Sequence, residues 1–290
     1  MENPRGIRQL PQRLSRVFGD AEKFFYLSGL RSAGSLTLPD FLGIGFMKSG
    51  TTWLYENLRV HPEVYVSERK ELRYFNNPGF ARSLRSYAEN FREGHGRTKG
   101  EFSPSYATLP SQRIRFIRAV MADVRLLLLM RNPMEREWSR VVHAITRSGR
   151  AVEEVPEAEV MGLLGNSKIL RSGGYTGIID RWLQVFPAEQ LFLGLYEDIK
   201  SRPRELLEEV FEHIGVSRRV DWNDMPYNEV IVPPNQPQHQ HLDRGWGVRV
   251  KDHQSSSSYF PERYREFLAE AYRDDILALK RHLGGRELPW

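Results

Sequence analysis

The 290-residue sequence contains no cysteine, which excludes disulfides, thiolate metal ligands and a cysteine nucleophile at once and leaves the redox compartment open. Long hydrophobic runs are also missing. The longest apolar stretch, Leu126 to Met130, is far too short to cross a bilayer. The N-terminus, MENPRGIRQLPQRLSRVFGD, has early charges and no uninterrupted apolar segment of the kind a secretion signal needs. These absences predict a soluble, cytoplasmic chain without an integral membrane segment. Charge of one sign is not in large excess either: 42 Lys and Arg against 37 Asp and Glu leave a formal net charge of +5. That charge is spread along the chain rather than gathered into a basic tract, which favours an anionic small molecule over nucleic acid as partner. No internal repeat is present, the length suits one main α/β domain, and oligomeric state is not readable.

Residues 1–38 are polar and arginine-rich, with Leu10, Leu14, Val17, Phe18, Ala21 and Phe25 at helical spacing. They read as an N-terminal basic helical extension, packed on a main domain over 39–290 or available to a membrane or partner. Three apolar runs, FLGIGF at 41–46, VRLLLLM at 124–130 and QLFLGLY at 190–196, read as buried strands. Helical patterns separate them. RELLEEVFEHIG, for example, aligns Leu206, Leu207, Val210, Phe211 and Ile214 on one face before Gly215 ends it. Strands alternating with helices imply a parallel sheet with right-handed crossovers, a three-layer α/β fold. Residues 221–258, with VPPNQPQHQH and SSSS, read as a long irregular segment, followed by a final helix over about 261–283.

The stretch FMKSGTTWLYENL, residues 46–58, places Lys48, Ser49, Gly50, Thr51 and Thr52 between the first strand and the start of a helix. Such a turn collects free backbone N–H groups and the positive end of the helix dipole, a natural anion site. Lys48 adds a full charge, the three hydroxyls add donors, and Gly50 lets the backbone approach a phosphate closely. A Walker A loop has its lysine after the last glycine. Here Lys48 precedes Gly50, which disfavours an ordinary nucleoside triphosphatase and suits a lysine that neutralises a leaving phosphate.

KSGTTW at 48–53 resembles the 5'-phosphosulfate loop of the sulfotransferases that use 3'-phosphoadenosine 5'-phosphosulfate (PAPS), in the form typical of their cytosolic branch. RNPMEREWS at 131–139 resembles that family's 3'-phosphate motif, with Arg131 just after the second strand and Ser139 eight residues on. Residues 174–216 are similar to the family's later helix, strand and helix, so the likeness covers most of 40–216 and, more loosely, the C-terminal helix ending in LPW. The resemblance implies a P-loop-like fold and Lys48, Ser49, Gly50, Thr51, Thr52, Trp53, Arg131 and Ser139 at the nucleotide. It also implies metal-independent, in-line transfer of a sulfuryl group to a hydroxyl, in preference to an amine, of a carbohydrate or other small-molecule natural product.

HPEVYVSERKELRYFNN, residues 61–77, resembles a segment of the carbohydrate-acting branch in which a glutamate before an aromatic pair is the general base, and Glu71 takes that place. The histidine-base segment of the cytosolic branch is not found, and His143, one helical turn past Ser139, is the reserve candidate. GEFSPSY, residues 100–106, resembles another segment of that branch. Glu101 there is expected either to orient Lys48 or an acceptor hydroxyl or to sit in a structural ion pair, and Phe102 stands where some members carry a lysine. Tyr175, in GGYTG, matches a position that often lines the acceptor pocket. A basic loop closes over the nucleotide in the family; DRGWGVRVK at 243–251 offers Arg249 or Lys251, without the family's usual glycine-lysine pattern. HQH at 239–241 lies in a Pro/Gln-rich stretch and reads as solvated rather than metal-binding. Two other classes compete: a P-loop nucleotide kinase or hydrolase using Mg-ATP, and a non-catalytic nucleotide-binding module.

Overall fold

Strand β1, Phe41–Gly45, is buried along its whole length, as a run without polar side chains must be when helices cover both faces of its sheet. The computed structural model describes residues 23–30, 32–76, 83–232, 248–250 and 260–290, with 230–232 and 248–250 described by their backbone alone. After β1 come α1 (Thr51–Val60), β2 (Val64–Val66), α2 (Leu84–Ala88), β3 (Thr98–Phe102), α3 (Ser111–Val120) and β4 (Arg125–Met130). The chain continues through α4 (Pro133–Arg147), α5 (Glu157–Gly165), α6 (Gly174–Leu183), β5 (Leu191–Leu195), α7 (Tyr196–Ser201) and α8 (Pro203–Ile214). Strands β6 (Val230–Val232) and β7 (Val248–Val250) precede α9 (Glu262–Leu279).

Five strands form one sheet in the order β2-β3-β1-β4-β5, every neighbouring pair parallel. Alternate strand residues point to opposite faces, and two apolar clusters follow. Leu42, Ile44, Leu126 and Leu128 pack against α3, α4, α6 and α9, while Phe41, Leu127 and Leu129 pack against α1 and α8. The result is the three-layer α/β architecture expected from the alternating pattern. The chain leaves β1 for the β3 side and later crosses to β4, so the strand order reverses beside β1. A crevice at the carboxyl ends of the strands is the usual ligand position in such sheets.

Three differences from the sequence pattern have physical causes. Strands β2 and β3 lack apolar runs because β2 is a three-residue edge strand and β3, TKGEF, starts with two half-buried residues; pairing between neighbours makes them strands. Within the segment expected to be irregular, β6 and β7 pair antiparallel. In the extension, Tyr26 and Ala33 are buried in the main core while Phe24, Phe25, Leu27 and Leu30 are exposed, so the apolar face does not run through Phe25 as the spacing predicted. Leu10, Leu14, Val17, Phe18 and Ala21 lie outside the described residues. Among those described, no helix is long and apolar enough to cross a membrane.

Candidate active site

The turn after β1 is shaped by Gly50, which caps α1 in the left-handed region at φ 85°. A Cβ there would lie 2.3 Å from Ile199 Cδ1 and 3.0 Å from the Tyr196 ring, so glycine is required both by conformation and by the close approach of α7. Ser49 is fully buried, and its Oγ has no hydrogen-bond partner among the described residues. Lys48, itself at φ 67°, has neither an ion-pair nor a hydrogen-bond partner among the described residues. Burial, and then the positive charge of Arg131, push the Lys48 ammonium down to about 8. A buried hydroxyl and a poorly solvated ammonium at a helix N-terminus are costly unless an anion completes them.

The second cradle follows β4. Asn132 caps α4, its side chain accepting from the N–H groups of Met134 at 3.0 Å and Glu135 at 3.4 Å, with Pro133 in the first turn. That stop leaves Arg131 at the strand's end. Its guanidinium forms an ion pair with Glu135 at 2.8 Å and lies 4.6 Å from the Tyr196 ring centroid. Its carbonyl accepts from the Tyr175 hydroxyl at 2.8 Å. Because Tyr196 also packs against Gly50, one ring stands between the two cradles. Ser139, two turns along α4, is half-buried and its hydroxyl makes no hydrogen bond among the described residues.

A third group comes from the chain after β2. The Lys70 ammonium donates to Thr52 Oγ1, although the sequence alone did not single this residue out; its one signal was adjacency to Glu71. Burial pushes Lys70 down to about 8, with Glu71 and Glu56 opposing that shift and Lys48 adding to it. The N–H of Glu71 donates to Phe102 O at 2.9 Å, tying it to the end of β3. Its Oε2 pairs with Arg73, at 2.9 Å from Nε, and Oε1 has no hydrogen-bond partner among the described residues.

Glu101 does not meet the expectation placed on it. It is 1 % exposed and accepts from Tyr87 OH, Tyr106 OH and Ser103 Oγ, each at 2.8 Å. Burial raises its pKa against these hydrogen bonds. It therefore forms no ion pair among the described residues and offers no face to Lys48 or an acceptor. Through Ser103, whose Oγ also accepts from the Arg73 N–H at 3.0 Å, it anchors the 71–73 turn instead. Tyr175 is likewise corrected: its ring is fully buried, and its hydroxyl is committed to Arg131. Asp275 of α9 accepts from the N–H groups of Tyr175 at 2.7 Å and Thr176 at 2.9 Å, fixing the start of α6.

Trp53 is buried, and its indole N–H donates to Tyr227 O at 3.1 Å. His143 is half-buried and has no side-chain hydrogen bond among the described residues. Desolvation first, then the charges of Lys48 and Arg147, lower its pKa, so the imidazole is neutral near pH 7. Arg249 lies in β7, and Lys251 lies outside the described residues. The fold thus gathers Lys48, Ser49, Gly50, Thr51, Thr52 and Arg131 at the neighbouring carboxyl ends of β1 and β4, with His143 near enough to feel Lys48, while Glu101 anchors the 71–73 turn and Tyr175 holds the Arg131 carbonyl.

A family model described as "Sulfotransferase domain" matches residues 38–273. The chain is 25 % identical over 297 residues to the membrane-associated sulfotransferase kil1 of Dictyostelium discoideum, covering 72 % of this chain and 61 % of that protein. It is 27 % identical over 206 residues to the heparan sulfate glucosamine 3-O-sulfotransferase 3B1 of Mus musculus, covering 68 % and 51 %. The chain therefore spans about half to three fifths of the length of these curated relatives. A solved sulfotransferase structure from Alicyclobacillus acidocaldarius shares the fold, with a TM-score of 0.63 at 21 % identity over 87 % of this chain and 97 % of that one.

Proposed function

The chain belongs to the sulfotransferase family, and we propose that it moves a sulfuryl group from PAPS to a hydroxyl of a carbohydrate or natural-product acceptor. One observation carries this reading: a poorly solvated Lys48 and a buried Ser49 hydroxyl, both without a partner among the described residues, share a helix N-terminus, beside an arginine that depresses the lysine. Such a cluster fits a compact polyanion. In this proposal Lys48, Ser49, Thr51, Thr52 and the N–H groups around Gly50 hold the 5'-phosphosulfate, and Arg131 with Ser139 holds the 3'-phosphate.

When bound, PAPS supplies an activated sulfuryl group already joined to its leaving phosphate. The protein's part is then electrostatic and positional. Lys48 meets the charge that gathers on the 5'-phosphate as the sulfur–oxygen bond breaks, and Glu71 takes the acceptor proton at Oε1 while Arg73 holds Oε2. Side-chain cations meet the charge in this scheme, so we propose that transfer requires no metal. The relative named for heparan sulfate glucosamine supports a sugar hydroxyl as acceptor.

A second assignment of the base has its own support: burial and nearby positive charge favour the neutral His143 imidazole, which has no side-chain hydrogen bond among the described residues and is close enough to Lys48 to be shifted by it. The overall reading is tested by thermal shift with chelator present, followed by labelled-sulfate transfer from PAPS to a panel of sugar and natural-product hydroxyls. Stabilisation by adenosine 3',5'-bisphosphate together with transfer is expected. Stabilisation by Mg-ATP alone would point to a kinase or hydrolase, and nucleotide binding without transfer to a binding module.

A further inference from the structure

The register of the sheet carries two segments past its edge side by side. Met130, last in β4, pairs with Leu195, last in β5, so two residues further on Asn132 meets Glu197. The Asn132 N–H donates to Glu197 Oε1 at 2.9 Å. At the other end of the same peptide, the Arg131 carbonyl accepts from the Tyr175 hydroxyl at 2.8 Å. A trans peptide points its N–H and C=O in opposite directions, so the Arg131–Asn132 unit is gripped from two sides, by α7 and by α6. Neither β4, which ends at Met130, nor α4, which starts at Pro133, orients this peptide. The two side chains do.

Both grips are themselves held. Asp275 accepts from the N–H groups of Tyr175 and Thr176, and Phe46 packs on the Tyr175 ring at 4.5 Å. Burial pushes the Tyr175 phenol up to about 12, so its hydroxyl stays a donor near neutral pH. Glu197 lies between Tyr196, whose ring takes the Arg131 guanidinium, and Asp198, which pairs with Arg202 at 2.9 Å and Arg286 at 2.5 Å. Its Oε2 is buried without a hydrogen-bond partner among the described residues, a cost to stability. What Glu197 supplies is the direction of the Asn132 N–H.

We propose that Tyr175 and Glu197 are positioning residues for recognition of the 3'-phosphate: by fixing the Arg131–Asn132 peptide they set the direction from which the Arg131 side chain reaches the nucleotide. This rests on the sulfotransferase reading. Neither residue touches the nucleotide or exchanges a proton with it. A guanidinium fork must meet phosphate oxygens in a defined plane, so a backbone free to turn beneath it loses affinity at the 3'-phosphate alone.

The test compares adenosine 3',5'-bisphosphate with adenosine 5'-monophosphate, which differ only in the 3'-phosphate, by calorimetry, with displacement titration where a ligand is weak. Tyr175→Phe and Glu197→Ala are each expected to narrow the wild-type preference for the bisphosphate by about 2- to 12-fold, the worth of one hydrogen bond, while the monophosphate binds as before. Glu197→Gln keeps an acceptor oxygen and should recover most of the loss. In an Arg131→Met background neither substitution should narrow the preference further. A preference unchanged in a variant would remove that residue from the proposal, and unchanged in both would overturn it. Equal loss of both ligands, which marks a general brace, would also overturn it, as would an effect that persists without Arg131. A wild type with no preference for the bisphosphate would remove the sulfotransferase reading too, whereas a wild-type preference indifferent to Tyr175 and Glu197 removes this proposal alone.

Discussion

The guanidinium of Arg131 lies over the ring of Tyr196, 4.6 Å from its centroid, and the same ring closes on Gly50 at the mouth of the Lys48 turn. Tyr196 starts α7 directly after β5, and β5 is the neighbour of β4, which ends at Arg131. The sheet order therefore sets the distance between the two anion cradles, and Tyr196 is the spacer.

Replacing Tyr196 by Leu should preserve the fold and weaken adenosine 3',5'-bisphosphate binding by about 2- to 30-fold, the worth of a cation–π contact of ~0.5–2 kcal/mol. Titration calorimetry measures it. Gly50→Ala should cost more, about 1–2 kcal/mol for the left-handed backbone and about 1–3 kcal/mol for overpacking against α7. Denaturant unfolding reads that loss.

Lys48 and Lys70 are both pushed down to about 8 from an ordinary 10.5. Between those values the unfolded chain holds more protons than the folded one, so the ligand-free protein should gain stability as pH rises from about 8 towards 10.5. Nucleotide affinity should move the other way. An anion favours charged lysines, so binding should be flat below neutral pH, weaken above about 8 and draw protons from the buffer near that pH. Calorimetry in buffers of different ionisation enthalpy detects the uptake.

Glu101 is expected to govern stability. Glu101→Leu leaves the buried hydroxyls of Tyr87, Ser103 and Tyr106 without their acceptor, at ~1–3 kcal/mol each, so a loss of at least about 3 kcal/mol should appear in denaturant melts. Glu101→Gln keeps one acceptor oxygen and should lose less. Because burial raises the folded-state pKa of this carboxyl above 4.5, its contribution is fully present in acid and declines as pH rises through the raised value. The advantage of wild type over Glu101→Gln should therefore shrink from acid towards neutral pH.

Glu71→Gln should lower kcat by about 10²–10⁴-fold, the usual range for a lost general base, with bisphosphate affinity little changed. His143→Gln should alter kcat far less. The reverse result in steady-state kinetics would assign the proton transfer to His143.

Much of this site could be read from the sequence because its main parts are local. The Lys48 turn and Arg131 each follow an apolar strand directly, and Asn132 and Pro133 announce where the next helix starts. The rest depends on distant chain segments meeting. Lys70 folds back 18 residues to reach Thr52, and nothing in SERKELRYF shows that direction. Glu101 resembled an orienting carboxylate until the hydroxyls of Tyr87, Ser103 and Tyr106 closed around it. Tyr175 looked like a pocket residue, but the cap from Asp275, 100 residues away, turns α6 so that the ring is buried and the hydroxyl meets Arg131. Tyr196 appeared only as the end of a strand, and its place between the cradles follows from the pairing of β4 with β5.

A crystal structure with adenosine 3',5'-bisphosphate tests most directly whether one nucleotide joins the two cradles. The 5'-phosphate is predicted on Lys48, Ser49, Thr51 and Thr52 and the 3'-phosphate on the Arg131 guanidinium, with Glu135 released. A nucleotide seated in the Lys48 turn with its 3'-phosphate in solvent, or held away from Arg131, would contradict this.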